Sequence, residues 1–167
     1  DMVNTGIYIL EPEVFDHAPQ EGAIDFACDL FPALLHEKKR LYGYSAERYW
    51  CDVGDTFAYM SCQYDMLAGK VDVPLAAKQI SDGIYIGADV TIEPGVELHA
   101  PVYIGDCVRI SEGAVISEYS VLESGAHIGR MANIKKSIVG SGAHIGAFSQ
   151  LRACVIGEKA KLKSSVC

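Results

Sequence analysis

Residues 86–104 read IGADVTIEPGVELHAPVYI, and residues 105–128 continue GDCVRISEGAVISEYSVLESGAHI. Aliphatic side chains return at every sixth position: Ile86, Ile92, Leu98, Ile104, Ile110, Ile116, Leu122, Ile128 and Ile134. A five-residue step leads to Val139, then Ile145 and Leu151, and a second leads to Ile156 and Leu162. The site four residues after each is restricted too: Val90, Val96, Val102, Val108, Ala114, Ser120, Ala126, Ala132, Ile138, Ala143, Ser149, Val155, Ala160 and Val166. A period of six fits neither a strand nor a helix, so it marks a repeat; three hexapeptides close one triangular coil of about 18 residues in a parallel β-helix. The aliphatic residue is expected on the prism axis, and the small or β-branched one near the tight corners. Gly87, Gly105, Gly129, Gly140, Gly146 and Gly157 follow axial residues directly, as turns in need of a permissive backbone would favour. The two five-residue steps fall 17 residues apart, so they read as shortened turns at one corner of successive coils. Residues 84–167 thus form a β-helix of about four and a half coils, roughly 22 Å long.

Upstream the pattern changes. Residues 1–70 mix strand and helix signals. Val3 to Leu10 reads as a strand, Glu11-Pro12-Glu13 as the start of a helical turn, and Asp25 to Lys39 as a helix whose regular part begins near Asp29 to accommodate Pro32. Leu41 to Ala46 and Tyr49 to Val53 read as strands, with Tyr49 and Trp50 expected in the core. Asp55 or Thr56 caps a helix running to about Ala68, stopped by Gly69. Residues 71–83 read as a linker. The opening Asp1-Met2-Val3-Asn4 is no secretory leader, and the chain reads as a piece of a longer protein.

With 50% apolar and 22% charged residues the chain is globular, and its net charge of -8 speaks against nucleic acid or an anionic membrane as partner. The charge is uneven: residues 86–129 hold 7 acids and 1 base, residues 130–167 hold 1 acid and 7 bases. The six cysteines form no C-x-x-C pair and read as reduced thiols of a cytoplasmic protein.

Three segments of the first half, Val3-Asn4-Thr5-Gly6-Ile7-Tyr8, Asp29-Leu30-Phe31-Pro32 and Tyr49-Trp50-Cys51-Asp52-Val53-Gly54-Asp55-Thr56, resemble the C-terminal part of sugar nucleotidyltransferases. With the hexapeptide tail, the chain is most similar to the mannose-1-phosphate guanylyltransferase type. The resemblance implies a remnant of an α/β nucleotidyltransferase domain followed by a left-handed parallel β-helix. It implies GTP and mannose 1-phosphate as substrates of the parent protein, with glucose 1-phosphate as the alternative sugar. It also implies Mg²⁺, with Asp52 as metal ligand in the W-x-D-x-G motif, and Asn4, Thr5 and Gly6 as sugar contacts. An amide can read a hydroxyl as donor or acceptor, and a glycine lets a sugar approach the backbone. The family's phosphate loop and first metal aspartate do not occur here, so the chain alone is expected to be inactive. A homo-oligomer through the β-helix and a further C-terminal domain are expected partners.

Two other classes remain. Many hexapeptide proteins are acyltransferases with a histidine as general base. His99, His127 and His144 lie in the repeats, the latter two 17 apart and so stacked on one edge, but no acyl-CoA site is legible. The same two-part plan also suits a non-catalytic scaffold; the presence of Asn4, Gly6 and Asp52 together favours the enzyme.

Overall fold

The computed structural model describes residues 3–18 and 22–165. It consists of two units, Asp1–Trp50 and Cys51–Cys167.

In the second unit the hexapeptides build three parallel sheets. The first face holds Ile84–Ile86, Val102–Ile104, Ser120–Leu122, Ile138–Val139 and Val155–Ile156; the second holds Thr91–Ile92, Arg109–Ile110, His127–Ile128, His144–Ile145 and Lys161–Leu162; the third holds Glu97–Leu98, Val115–Ile116, Asn133–Lys135 and Gln150–Arg152. Ile86 pairs with Ile104 and Ile104 with Leu122, steps of 18, whereas Leu122 pairs with Val139 and Val139 with Ile156, steps of 17. Both short steps fall between the third and first faces, so the prism loses one residue at the same corner of two coils and is not interrupted. The fold is a left-handed parallel β-helix.

The axial residues from Ile104 to Leu151 are buried, and Val102, Val108, Ala114, Ala126, Ala132 and Ala143 fill the core beside them. These core residues are the sites four positions after an axial one, and the shortened corner departs from that rule. Ile138 and Val155 face outward, against Leu67 and Val121. Ser137 is fully buried in the place of Ile138, and Cys154 packs on the axial core in the place of Val155. The reason is geometric: side chains alternate along a strand, so the inward partner lies two residues before the axial one, and losing a residue shifts it from the fourth position to the third. The glycines after axial residues also have another cause than turn conformation, since none of the six has a positive φ. At Gly129 and Gly146 a Cβ would come within 2.6 and 2.4 Å of the backbone of the next coil. The positive φ values lie instead at the corners, as in the column Asp89, Cys107, Gly125, Gly142 and Lys159, where each backbone N–H from Cys107 on donates to the coil before it.

The helix Thr56–Leu67 lies on the first face. Asp55 caps it by accepting a hydrogen bond from the Ala58 N–H at 2.7 Å, and Gly69, at φ +71°, follows it. Leu67, Tyr59 and Met60 pack on the outward column Tyr85, Tyr103, Val121, Ile138 and Val155. Strand Lys78–Ser81, inside the stretch expected as a linker, pairs antiparallel with Ile84–Ile86 and covers that edge of the first coil. Its hairpin is set by Asp82-Gly83, a turn signal adjacent to strand-forming residues.

In the first unit a 3₁₀ turn Pro12–His17, a π turn Phe26–Leu30 and a short helix Phe31–His36 pack around buried Leu30 and Leu34. The regular helix begins at Phe31 rather than near Asp29, which puts Pro32 in its first turn, where no N–H is needed. Val3–Leu10, Leu41–Ala46 and Tyr49–Val53 form no strands. A strand exists only in a ladder, and none of these segments has a ladder partner among the described residues. Tyr49 and Trp50 are 38% and 42% exposed and do not enter a core.

Candidate functional site

The candidate sugar-contacting residues sit in a local turn of the first unit. The Asn4 Oδ1 accepts the Gly6 N–H at 3.0 Å, and Gly6 adopts φ +71°. The turn therefore needs both residues: a side-chain carbonyl two positions before the donor, and a residue tolerant of left-handed backbone. The Asn4 amide also meets the Tyr8 hydroxyl, with Nδ2 at 2.9 Å and Oδ1 at 3.1 Å. Tyr8 is itself held by two rings, stacked on Phe26 at 5.3 Å and edge-on to Phe31 at 5.0 Å. Asn4, Thr5 and Gly6 are all exposed, and an Asn amide carries two N–H groups, so one hydrogen on Nδ2 is available beyond Tyr8. Sequence reading missed Tyr8 as the residue that orients Asn4. The available signal was an aromatic residue four positions on, within an extended stretch, next to a helix rich in phenylalanine.

Asp52 belongs to the second unit, on the irregular segment that leads into the helix Thr56–Leu67, and its side chain is exposed. The cap of that helix is Asp55, as expected, and Asp52 takes no part in the capping hydrogen bond. Gly54 has open space where a Cβ would stand, so nothing within the described chain crowds that side. Among the described residues no group of three or more His, Cys, Asp or Glu side chains could cage a metal ion. One exposed carboxylate fits Mg²⁺ of the kind that takes most of its remaining ligands from phosphate oxygens and water.

Three histidines, His99, His127 and His144, lie in the repeats. His99 lies 3.2 Å from Glu97, both exposed. His127 and His144 pair in register on the second face. In the first unit His17 lies 3.1 Å from Glu37. No helix among the described residues is long and apolar enough to cross a membrane.

Two family models match the chain. Residues 1–69 match the family model described as nucleotidyl transferase, and residues 80–167 match the one described as GMPPB C-terminal domain. The chain is 31% identical over 138 residues to a UTP–glucose-1-phosphate uridylyltransferase of Synechocystis, covering 81% of this chain and 36% of that protein. It is 32% identical over 136 residues to a mannose-1-phosphate guanylyltransferase of Mycobacterium tuberculosis, covering 78% of this chain and 38% of the relative. A glucose-1-phosphate adenylyltransferase of Geobacillus stearothermophilus is 31% identical over 149 residues, with 81% and 36% covered. The chain thus spans little more than a third of the length of these relatives.

Proposed function

Because the chain belongs to the sugar nucleotidyltransferase family, with a nucleotidyl transferase segment joined to a GMPPB C-terminal domain, we propose that its parent protein makes a nucleoside diphosphate sugar from an NTP and a sugar 1-phosphate. GTP and mannose 1-phosphate are the proposed pair, giving GDP-mannose and pyrophosphate. The observation that carries this choice is the match of the whole β-helix to the GMPPB C-terminal domain. The named activities of the relatives span uridylyl, guanylyl and adenylyl transfer, so they support the reaction class more than the base.

In this reaction a phosphate oxygen of the sugar 1-phosphate attacks the α-phosphorus in line, and the bond from that phosphorus to the bridging oxygen breaks, the oxygen leaving with pyrophosphate. Bound Mg²⁺ supplies charge compensation for the crowded phosphates. Asp52 is the residue proposed to hold it, through an exposed carboxylate beside the uncrowded Gly54. Asn4 orients a sugar hydroxyl through the Nδ2 hydrogen not spent on Tyr8, and the Gly6 turn lets the ring approach the backbone. Tyr8 is a positioning residue that restrains the Asn4 amide.

The test is Asp52→Asn in the intact protein. Pyrophosphate release is expected to fall by about 100-fold or more, with the circular dichroism spectrum unchanged. Full activity in the folded variant would remove Asp52 from the metal site.

A further inference from the structure

The second face of the β-helix carries a row of side chains outside the site proposed for nucleotidyl transfer. The residue before each axial aliphatic points outward there. The parallel register stacks Arg109 on His127, His127 on His144 and His144 on Lys161. The two imidazoles are 4.4 Å apart, centre to centre, and 25° from parallel. With neighbouring strands about 4.8 Å apart, the four groups span roughly 14 Å. Arg109, His144 and Lys161 are exposed and His127 is half-buried.

The row has a cation at each end and no carboxylate within it; the residue that extends it beyond Arg109 is Thr91. Arg109 and Lys161 place like charge at the two ends of the row, and an anion lying along it would offset both. Burial, His144 and Arg109 hold the His127 imidazole below its usual pKa, and a neutral ring still offers one N–H donor. The floor beside the rings is clear. The sequence Gly-Ala-His-Ile-Gly occurs at 125–129 and again at 142–146, so the residues two before and two after each histidine have no side chain.

Several ligands can be weighed on these features. A divalent metal ion is what two adjacent histidines invite, but Arg109 and Lys161 repel a cation from both ends. A second copy of this face would set positive row against positive row. A single orthophosphate reaches only one or two of the four groups, whereas a chain of linked phosphates runs along all of them and takes charge-assisted hydrogen bonds from each. The geometry points to Arg109, His127, His144 and Lys161 as a binding row for a linear oligophosphate, either free or carried by a nucleotide.

The experiment follows the imidazole proton signals of His127 and His144 by NMR in the intact protein, assigned with His127→Gln and His144→Gln. Tripolyphosphate, a nucleoside triphosphate and orthophosphate are added separately, at constant ionic strength and without Mg²⁺. Both signals should move saturably with tripolyphosphate, and the double variant Arg109→Gln/Lys161→Gln should weaken that midpoint by about tenfold. A nucleoside triphosphate that binds more tightly than tripolyphosphate assigns the phosphate chain to a nucleotide; equal midpoints assign it to the free anion. Signals that move linearly, that respond equally to orthophosphate, or that keep their midpoint in the double variant would overturn the proposal. The readout is the rings themselves, so it stands or falls separately from catalysis at Asp52.

Discussion

Ile116 and Ile92 occupy the same place in the repeat, yet their surroundings differ. Ile116 is fully buried between coils, and Ile92, in the first coil, is 41% exposed. Truncating a buried isoleucine removes its transfer energy and leaves a cavity. Ile116→Ala should therefore destabilise by about 2–5 kcal/mol, and Ile92→Ala by about 1 kcal/mol, as read from urea midpoints. Equal losses would mean that the first coil is covered in solution. Most of this core was legible in the sequence, because an axial site tolerates only aliphatics and the period exposes the set. Ser137 and Cys154 were not legible, since a polar and a thiol side chain inside the prism look like surface residues until the shortened corner is given its geometry. Ser137 is tolerated there because its hydroxyl donates to the Lys135 carbonyl at 2.8 Å, which meets the need of a buried polar group for a partner.

At the scale of elements, each face of the β-helix has its own outward column. The column on the first face, Tyr85, Tyr103, Val121, Ile138 and Val155, is apolar and takes the helix Thr56–Leu67. That docking surface was readable as a second periodicity, one position before the axial one, but the axial pattern masks it. On the second face the outward column contains His127, whose pKa is lowered by burial, then by His144 and Arg109. Between that lowered value and the ordinary 6.5, the unfolded chain binds a proton that the folded chain does not. Folding is then weakened as pH falls through this window, and the contribution is fully present above it. Thermal melts between neutral and mildly acidic pH should lose less midpoint in His127→Gln than in the native protein. An identical loss in both would show that His127 does not contribute.

For the whole molecule, the two units were legible to different degrees. The β-helix carries its ladder partners within its own repeat, so sequence and structure agree on nearly every strand. The expected strands Val3–Leu10 and Leu41–Ala46 have the right residue types and no ladder partner among the described residues, and Ile7, Ile9, Tyr42 and Tyr44 stand exposed. Amide hydrogen exchange on the 167-residue chain should be fast across residues 3–10 and 41–46 and slow from Val102 to Ile145. Slow exchange in the first two segments would mean that they find ladder partners in solution. Asn4, Thr5, Gly6 and Asp52 are singled out by family resemblance alone, whereas the support of Asn4 by Tyr8 needed coordinates. The most direct measurement is pyrophosphate release by the intact parent protein, for each of four NTPs against mannose 1-phosphate and glucose 1-phosphate with Mg²⁺. GTP with mannose 1-phosphate should exceed every other pair in kcat/KM by about tenfold or more. A folded parent that is silent with every pair, or that prefers another nucleotide and sugar, would contradict the proposed reaction.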